Sequence, residues 1–132
     1  MSRLDSLASW ARVSPPATEE QIRAVEARFG FRFSDEYRNF LLVTNGMLAH
    51  DFVLLFSVDD ILERNETNEI STYFPGWVMI GDDSGGRGIL VPTNASEGPV
   101  YWVDMGSALI EESDRLSDRL TSWLEDRCPI PE

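Results

Sequence analysis

The stretch Thr18–Gly46, TEEQIRAVEARFGFRFSDEYRNFLLVTNG, constrains the fold more than any other, because it carries the start and stop signals of two consecutive helices. Thr18 is an N-cap residue, and Gln21 three positions on completes a capping box. Ile22, Val25 and Phe29 recur at helical spacing, and Ala24 and Ala27 favour helix. Gly30 stands where a left-handed residue ends such a helix. Ser34 caps a second helix, whose first turn carries Asp35 and Glu36, both favoured there by the helix dipole. Tyr37, Phe40, Leu41 and Thr44 form its inner face, and Asn45-Gly46 stops it, since both residues tolerate positive φ.

Around this pair the remaining pattern is mixed. Leu4, Leu7, Trp10 and Ala11 predict a short amphipathic helix over about residues 3–12, ended by Pro15-Pro16. After Gly46 the chain turns through Met47–Asp51, and the apolar run Phe52–Phe56 reads as a buried strand. Ser57 or Asp59 caps a short helix carrying Ile61 and Leu62, while residues 64–69 have no apolar periodicity and read as a solvated helix end or loop. Trp77–Ile80 and Gly88–Val91 are two strands of a hairpin around the glycine-rich loop Gly81–Gly88, and Val100–Val103 is a third. Residues 108–110 read as a short edge strand. Ser113 caps a last helix with Leu116, Leu120, Trp123 and Leu124 as its buried stripe, and Cys128–Glu132 is a tail. Helices first, consecutive strands in the middle and a helix last define an α+β protein: one domain over residues 1–132, with a core of about 18–126. Its centre is a mostly antiparallel β-meander with the N-terminal helices and the C-terminal helix packed on it.

Glu26, Phe29, Gly30, Phe33, Tyr37, Phe40, Leu41, Asn45 and Gly46 together resemble the SUKH superfamily. The branch meant is the SMI/KNR-like one, with fungal cell-wall-synthesis regulators and many bacterial immunity proteins. Trp77–Val91, WVMIGDDSGGRGILV, and Pro99–Asp104, PVYWVD, are similar to that family's central strands. The resemblance runs from about residue 18 to the last helix. One departure is Ser34, where the family usually has Pro; Ser serves there as a cap.

Charge is distributed unevenly. Residues 1–50 carry six acids and six arginines, whereas residues 51–132 carry seventeen acids and five arginines and supply the whole net charge of −12. Such a chain is repelled by phosphate backbones and anionic membranes, which excludes nucleic-acid and membrane-surface binding as expectations and favours a basic protein partner or simple solubility. Cys128 is the only cysteine, so no intrachain disulfide forms. Residues 1–16 have no long apolar core and contain Asp5, and no stretch approaches a membrane span, so a cytoplasmic location is expected.

Several fragments of chemical motifs are present without the partners their chemistry needs. Asp83-Ser84-Gly85-Gly86 echoes the run around a serine-protease nucleophile, but Asp82 stands where a glycine helps build the oxyanion hole, and His50 is the only histidine. Gly81 to Arg87 is similar to a truncated phosphate loop, yet it lacks the Lys and Ser/Thr, and Asp82 and Asp83 would repel phosphate. Asp82 and Asp83 are adjacent and lack calcium-loop spacing, and one His and one Cys do not make a transition-metal site. Asn65-Glu66-Thr67 and Asn94-Ala95-Ser96 match the glycosylation pattern by chance. Cys128 reads as an inert thiol and His50 as a turn residue. No catalytic residue, metal or cofactor is expected.

The aromatics pose a sharper question. Tyr101 and Trp102 are neighbours on a strand and so point to opposite faces; one of them stands beside the acidic hairpin unless both faces are covered. The resemblance implies an immunity protein that binds a cognate toxin domain, and many such toxins are basic because they attack nucleic acids. Exposure and charge then select Asp82, Asp83, Arg87, Trp102 and Asp104, with Asp59, Asp60 and Glu63, as the partner face. The alternative is a regulatory or scaffolding domain of the cell-wall-synthesis-regulator type, with no toxin partner.

Overall fold

The computed structural model describes residues 3–106, 110 and 113–131. Among the described residues, seven strands form one sheet in the order β1-β2-β3-β4-β5-β6-β7, each antiparallel to the next. They are β1 (Ala11–Val13), β2 (Met47–Ala49), β3 (Val53–Leu55), β4 (Trp77–Asp82), β5 (Arg87–Pro92), β6 (Val100–Asp104) and β7 (Asp114–Ser117). The helices among the described residues are a 3-10 helix at Arg3–Ser9, α1 (Glu19–Phe29), α2 (Asp35–Val43), α3 (Ile61–Thr67), α4 (Ile70–Tyr73) and α5 (Leu120–Glu125). This is the α+β meander that the pattern of elements predicts.

The central helix pair forms for the reasons read from its residues. Thr18 Oγ1 accepts from the Gln21 N–H at 3.1 Å while Gln21 Oε1 accepts from the Thr18 N–H at 2.9 Å, closing the capping box. Gly30 ends α1 with φ of 85°, and Ser34 Oγ accepts from the Tyr37 N–H at the start of α2. Tyr37, Phe40, Leu41 and Thr44 are all buried. Gly46 has φ of 85°, and a Cβ there would lie 2.7 Å from the Leu55 carbonyl oxygen, so conformation and space both require glycine. Asn45 Oδ1 accepts from the Val58 N–H, tying the end of α2 to the exit of β3.

Both faces of β4 and β5 are covered: Val78, Met79, Ile80, Ile89, Leu90 and Val91 are buried. The α3 and α4 helices lie against β4, and α5 packs on β7, α2 and the 3-10 helix. Burial on two faces explains why these strands read as continuous apolar runs rather than as alternation.

The structure corrects several sequence expectations. The N-terminal helix stops at Ser9, and Ala11–Val13 joins the sheet because Ala11, Arg12 and Val13 pair with Ala49, Leu48 and Met47. Met47–Ala49, expected as part of a turn, is thus a strand. Phe52 is 41% exposed and lies outside the strand expected to bury it. Neither Ser57 nor Asp59 caps α3; Asp60 holds that position without a side-chain cap. Residues 64–69 are not uniformly solvated: Asn65 is buried, donates to the Ile61 and Met79 carbonyls and accepts from the Met79 N–H, so its amide continues the hydrogen-bond ladder along β4 beyond β3. That use of the amide also removes it as a glycosylation acceptor.

The hairpin strands reach further than expected, to Asp82 and from Arg87, leaving a tip of four residues. Ser113 does not cap the last helix; Asp114–Ser117 is a strand with Leu116 half-buried on it. The α5 helix begins at Leu120, and its first amides are capped from α2: Glu36 Oε1 accepts from Leu120 N–H and Oε2 from Thr121 N–H. The C-terminal segment is packed rather than loose, with Cys128 fully buried and the Trp123 indole N–H donating to the Pro129 carbonyl. Of the expected edge strand at 108–110, Ala108 and Leu109 lie outside the described residues.

Candidate functional site

Strand register brings three connections to one end of the sheet: the β2–β3 turn, the β4–β5 tip and the start of the β6–β7 connection. Ser84 Oγ donates to the Phe52 carbonyl at 2.8 Å, and the Met105 N–H donates to the Gly86 carbonyl. Trp10 precedes β1 and reaches the same end through the Ala11–Ala49 pairing.

The tip is built on Asp83. Its Oδ1 accepts from the Gly85 N–H at 2.8 Å and from the Arg87 N–H at 3.2 Å, while its Oδ2 accepts from the Trp102 indole N–H at 2.9 Å. The Asp82 Oδ1 accepts from the Ser84 N–H at 3.0 Å. These bonds hold Ser84 at φ of 63° and Gly86 at φ of 94°. The adjacent acids that suggest a charged loop are therefore the hydrogen-bond acceptors that fold it.

Alternation then sorts the side chains. Arg87 is paired with Asp104, Ile89 with Trp102, and Trp102 with Asp114, so these residues project from one face. The Arg87 guanidinium lies 4.3 Å from the Trp102 ring centroid and 3.6 Å from Asp114 Oδ2. Trp102 thus stands beside the acidic hairpin, half-buried, with its N–H taken by Asp83 and its ring covered by Arg87. Tyr101 points the other way, where its ring meets Trp77 edge-on at 5.3 Å and its hydroxyl accepts from Arg115.

A set of aromatics that the sequence reading did not connect completes this end. Trp10 stacks on His50 with centroids 5.9 Å apart, and His50 lies 6.2 Å from Phe52. A ring nitrogen of His50 is 2.6 Å from the Arg127 carbonyl oxygen. His50 is exposed in a turn, as expected, and it and Asp51 have φ of 57° and 65°. The signal that could have shown the column is the three-residue spacing between Ala49 and Val53, a hairpin-sized loop between two strands that are each too short to display alternation.

Asp83, Arg87, Trp102 and Asp104 therefore come together with Asp114, whereas Asp82, paired with Gly88, turns its side chain to the other face and bonds the Ser84 N–H, and Asp51 lies in the neighbouring β2–β3 turn, 3.8 Å from Arg12. Asp59, Asp60 and Glu63 do not join them. The β3 strand runs from the hairpin tip toward the start of β4, as the Leu54–Asp82 and Leu55–Gly81 pairs and the Phe56 N–H to Ile80 carbonyl bond show, so the exposed acids after it lie away from the tip.

Among the described residues, no group of three or more His, Cys, Asp and Glu side chains is placed to hold a metal ion. Burial raises the Cys128 thiol pKa to about 12. No helix of the described residues is long and apolar enough to cross a membrane. The end of the sheet carries an exposed phenylalanine in an aromatic column, with the acidic β4–β5 tip bonded to the same turn. The chain is a member of the SMI1 / KNR4 family (SUKH-1), whose profile matches residues 16–126. It is also similar to YnaB of Bacillus subtilis (strain 168), a protein described as uncharacterized, with 30% identity over 112 residues, covering 83% of this chain and 75% of YnaB.

Proposed function

We propose that the chain is a non-enzymatic binding protein of the immunity type, which neutralises a cognate toxin domain by seating on it with the hairpin end of its sheet. Family membership supports the class, and the carrying observation is Phe52, 41% exposed against His50, which in turn stacks on Trp10, next to Asp51 in the chain and bonded through its carbonyl to the acidic β4–β5 tip. An aromatic anchor inside a polar rim is the arrangement that concentrates binding energy, while the carboxylates steer a basic partner during approach. In this reading Asp82 and Asp83 act chiefly by shaping the tip, Arg87 and Trp102 brace it, and Asp51, Asp104 and Asp114 supply the field. The acids Asp59, Asp60 and Glu63 contribute to long-range attraction only. The protein acts in the cytoplasm, where the toxin would otherwise reach its target, and uses no metal or cofactor.

The test is rescue of growth. Co-expression with the toxin domain encoded beside it should restore growth, and the double variant Phe52→Ala with Asp104→Arg should lose that protection while keeping the wild-type melting temperature. Failure of the wild-type chain to protect, or full protection by the double variant, would contradict the proposal.

A further inference from the structure

A separate cleft of about 140 Å³ opens between the C-terminal end of α1, the α3–α4 pair and the start of β4. Its walls include Phe29, Phe31 and Trp77, all half-buried. Phe29 and Phe31 stack with centroids 4.8 Å apart, and Trp77 is held edge-on by Tyr101, so these walls are braced before any ligand arrives. The space is the size of one ring, for a sealed apolar cavity of about 150 Å³ takes benzene, and this cleft is open to solvent on its polar side.

The lining also carries two opposite charges. Arg28 comes from the last turn of α1 and Glu66 from α3, and both are exposed. Neither side chain makes an ion pair or hydrogen bond among the described residues, and they do not pair with each other across the cleft. The Ser71 hydroxyl, on α4, lines the same cleft without a partner among those residues. In this acidic chain Arg12, Arg23, Arg38, Arg87, Arg115 and Arg119 each have a carboxylate within ion-pair distance. Arg28, like Arg32, Arg64 and Arg127, has none among the described residues, and of these four it is the one that lines the ring-sized hollow.

We infer that this cleft is a binding site for a free amino acid with a single-ring side chain. The ring enters between Phe31 and Trp77. The α-carboxylate meets Arg28, and the α-ammonium meets Glu66 with Ser71 nearby. Each of the ligand's three groups has a matching element, and a peptide-bonded residue lacks both charges. The site is independent of the hairpin end and of the toxin-inhibiting reading.

The experiment is a ¹H–¹⁵N correlation titration of the full chain with L-phenylalanine, run in parallel with phenethylamine, hydrocinnamate, N-acetyl-phenylalaninamide and L-alanine. Phenylalanine should shift the Trp77 indole N–H and the Phe31 and Ser71 amides, with a Kd of about 1 mM, the scale suited to so small a ligand. The four analogues, each missing one group or both charges, should bind at least about tenfold more weakly. Arg28→Gln should abolish the preference over phenethylamine, and Glu66→Gln the preference over hydrocinnamate. Both positions are exposed, so the melting temperature should not move. An absence of shifts at the cleft with phenylalanine would overturn the inference, as would equal affinity for any of the four analogues.

Discussion

At the scale of single residues, two buried groups have opposite consequences. Glu36 is 5% exposed; its carboxylate accepts from the amides of Gly98, Leu120 and Thr121 and lies 3.5 Å from Arg119 Nε. Glu36→Ala should therefore orphan the first turn of α5 and cost about 3 kcal/mol, read as a lowered urea midpoint. Tyr37 is fully buried, its hydroxyl has no hydrogen-bond partner among the described residues, and burial raises its pKa well above the ordinary phenol value. Tyr37→Phe should leave stability unchanged or raise it by up to about 1 kcal/mol, because it removes a desolvated group and little packing. A loss of more than that in a thermal melt would show that the hydroxyl is bonded in solution.

Cys128 gives a pH dependence at the same scale. Burial raises its thiol from the ordinary value of 9.0 to about 12, so the folded chain keeps the proton where the unfolded chain releases it. The thiol's contribution is intact below about pH 9 and is lost as pH rises toward about 12. A Cys128→Ala variant should show a shallower fall in stability across that window. Native protein at neutral pH should resist thiol-specific reagents until it unfolds.

At the scale of elements, the hairpin and its bulge decide the shape of the site. Register shifts between Met79 and Gly81, and a Cβ at Gly81 would lie 2.3 Å from the Leu54 carbonyl oxygen. Gly81→Ala should cost about 3 kcal/mol by forcing β3 from β4. Asp83→Ala removes the acceptor for Gly85, Arg87 and Trp102 together; it should loosen the tip and cost about 2 kcal/mol, with the Trp102 indole N–H resonance moving toward its solvent-exposed position.

Elements with local signals were legible in the sequence. The α1–α2 pair carries its own caps, and β4 to β6 carry apolar runs between turn residues. What was not legible depends on contacts far apart in the chain. The β1 and β2 strands are three residues each and exist through mutual pairing. The α5 helix takes its cap from Glu36, and Asn65 is buried because Met79 needs a ladder partner. The site was half visible for the same reason. Asp82, Asp83, Arg87, Trp102 and Asp104 share a hairpin and its neighbouring strand, whereas Trp10, His50 and Phe52 reach that end only through the β1–β2 and β3–β4 pairings.

At the scale of the whole molecule, a chain of net charge −12 meets its surroundings as an anion, and the aromatic column is the place on that surface proposed to turn approach into contact. Charge of this size acts on association rate and is screened by salt, whereas a seated Phe52 acts on dissociation rate. On the proposed function, association with a basic toxin domain should slow as salt rises. Phe52→Ala should accelerate its dissociation by about tenfold or more, measured by surface plasmon resonance.

The most direct test of the hairpin end as the partner face is hydrogen–deuterium exchange of the chain alone and in complex with that toxin domain. Slowed exchange confined to the His50–Val53 turn, the Asp83–Arg87 tip and the residues following Asp104 is the predicted result. Unchanged exchange at all three, with protection appearing instead on α1 or α3, would contradict that assignment.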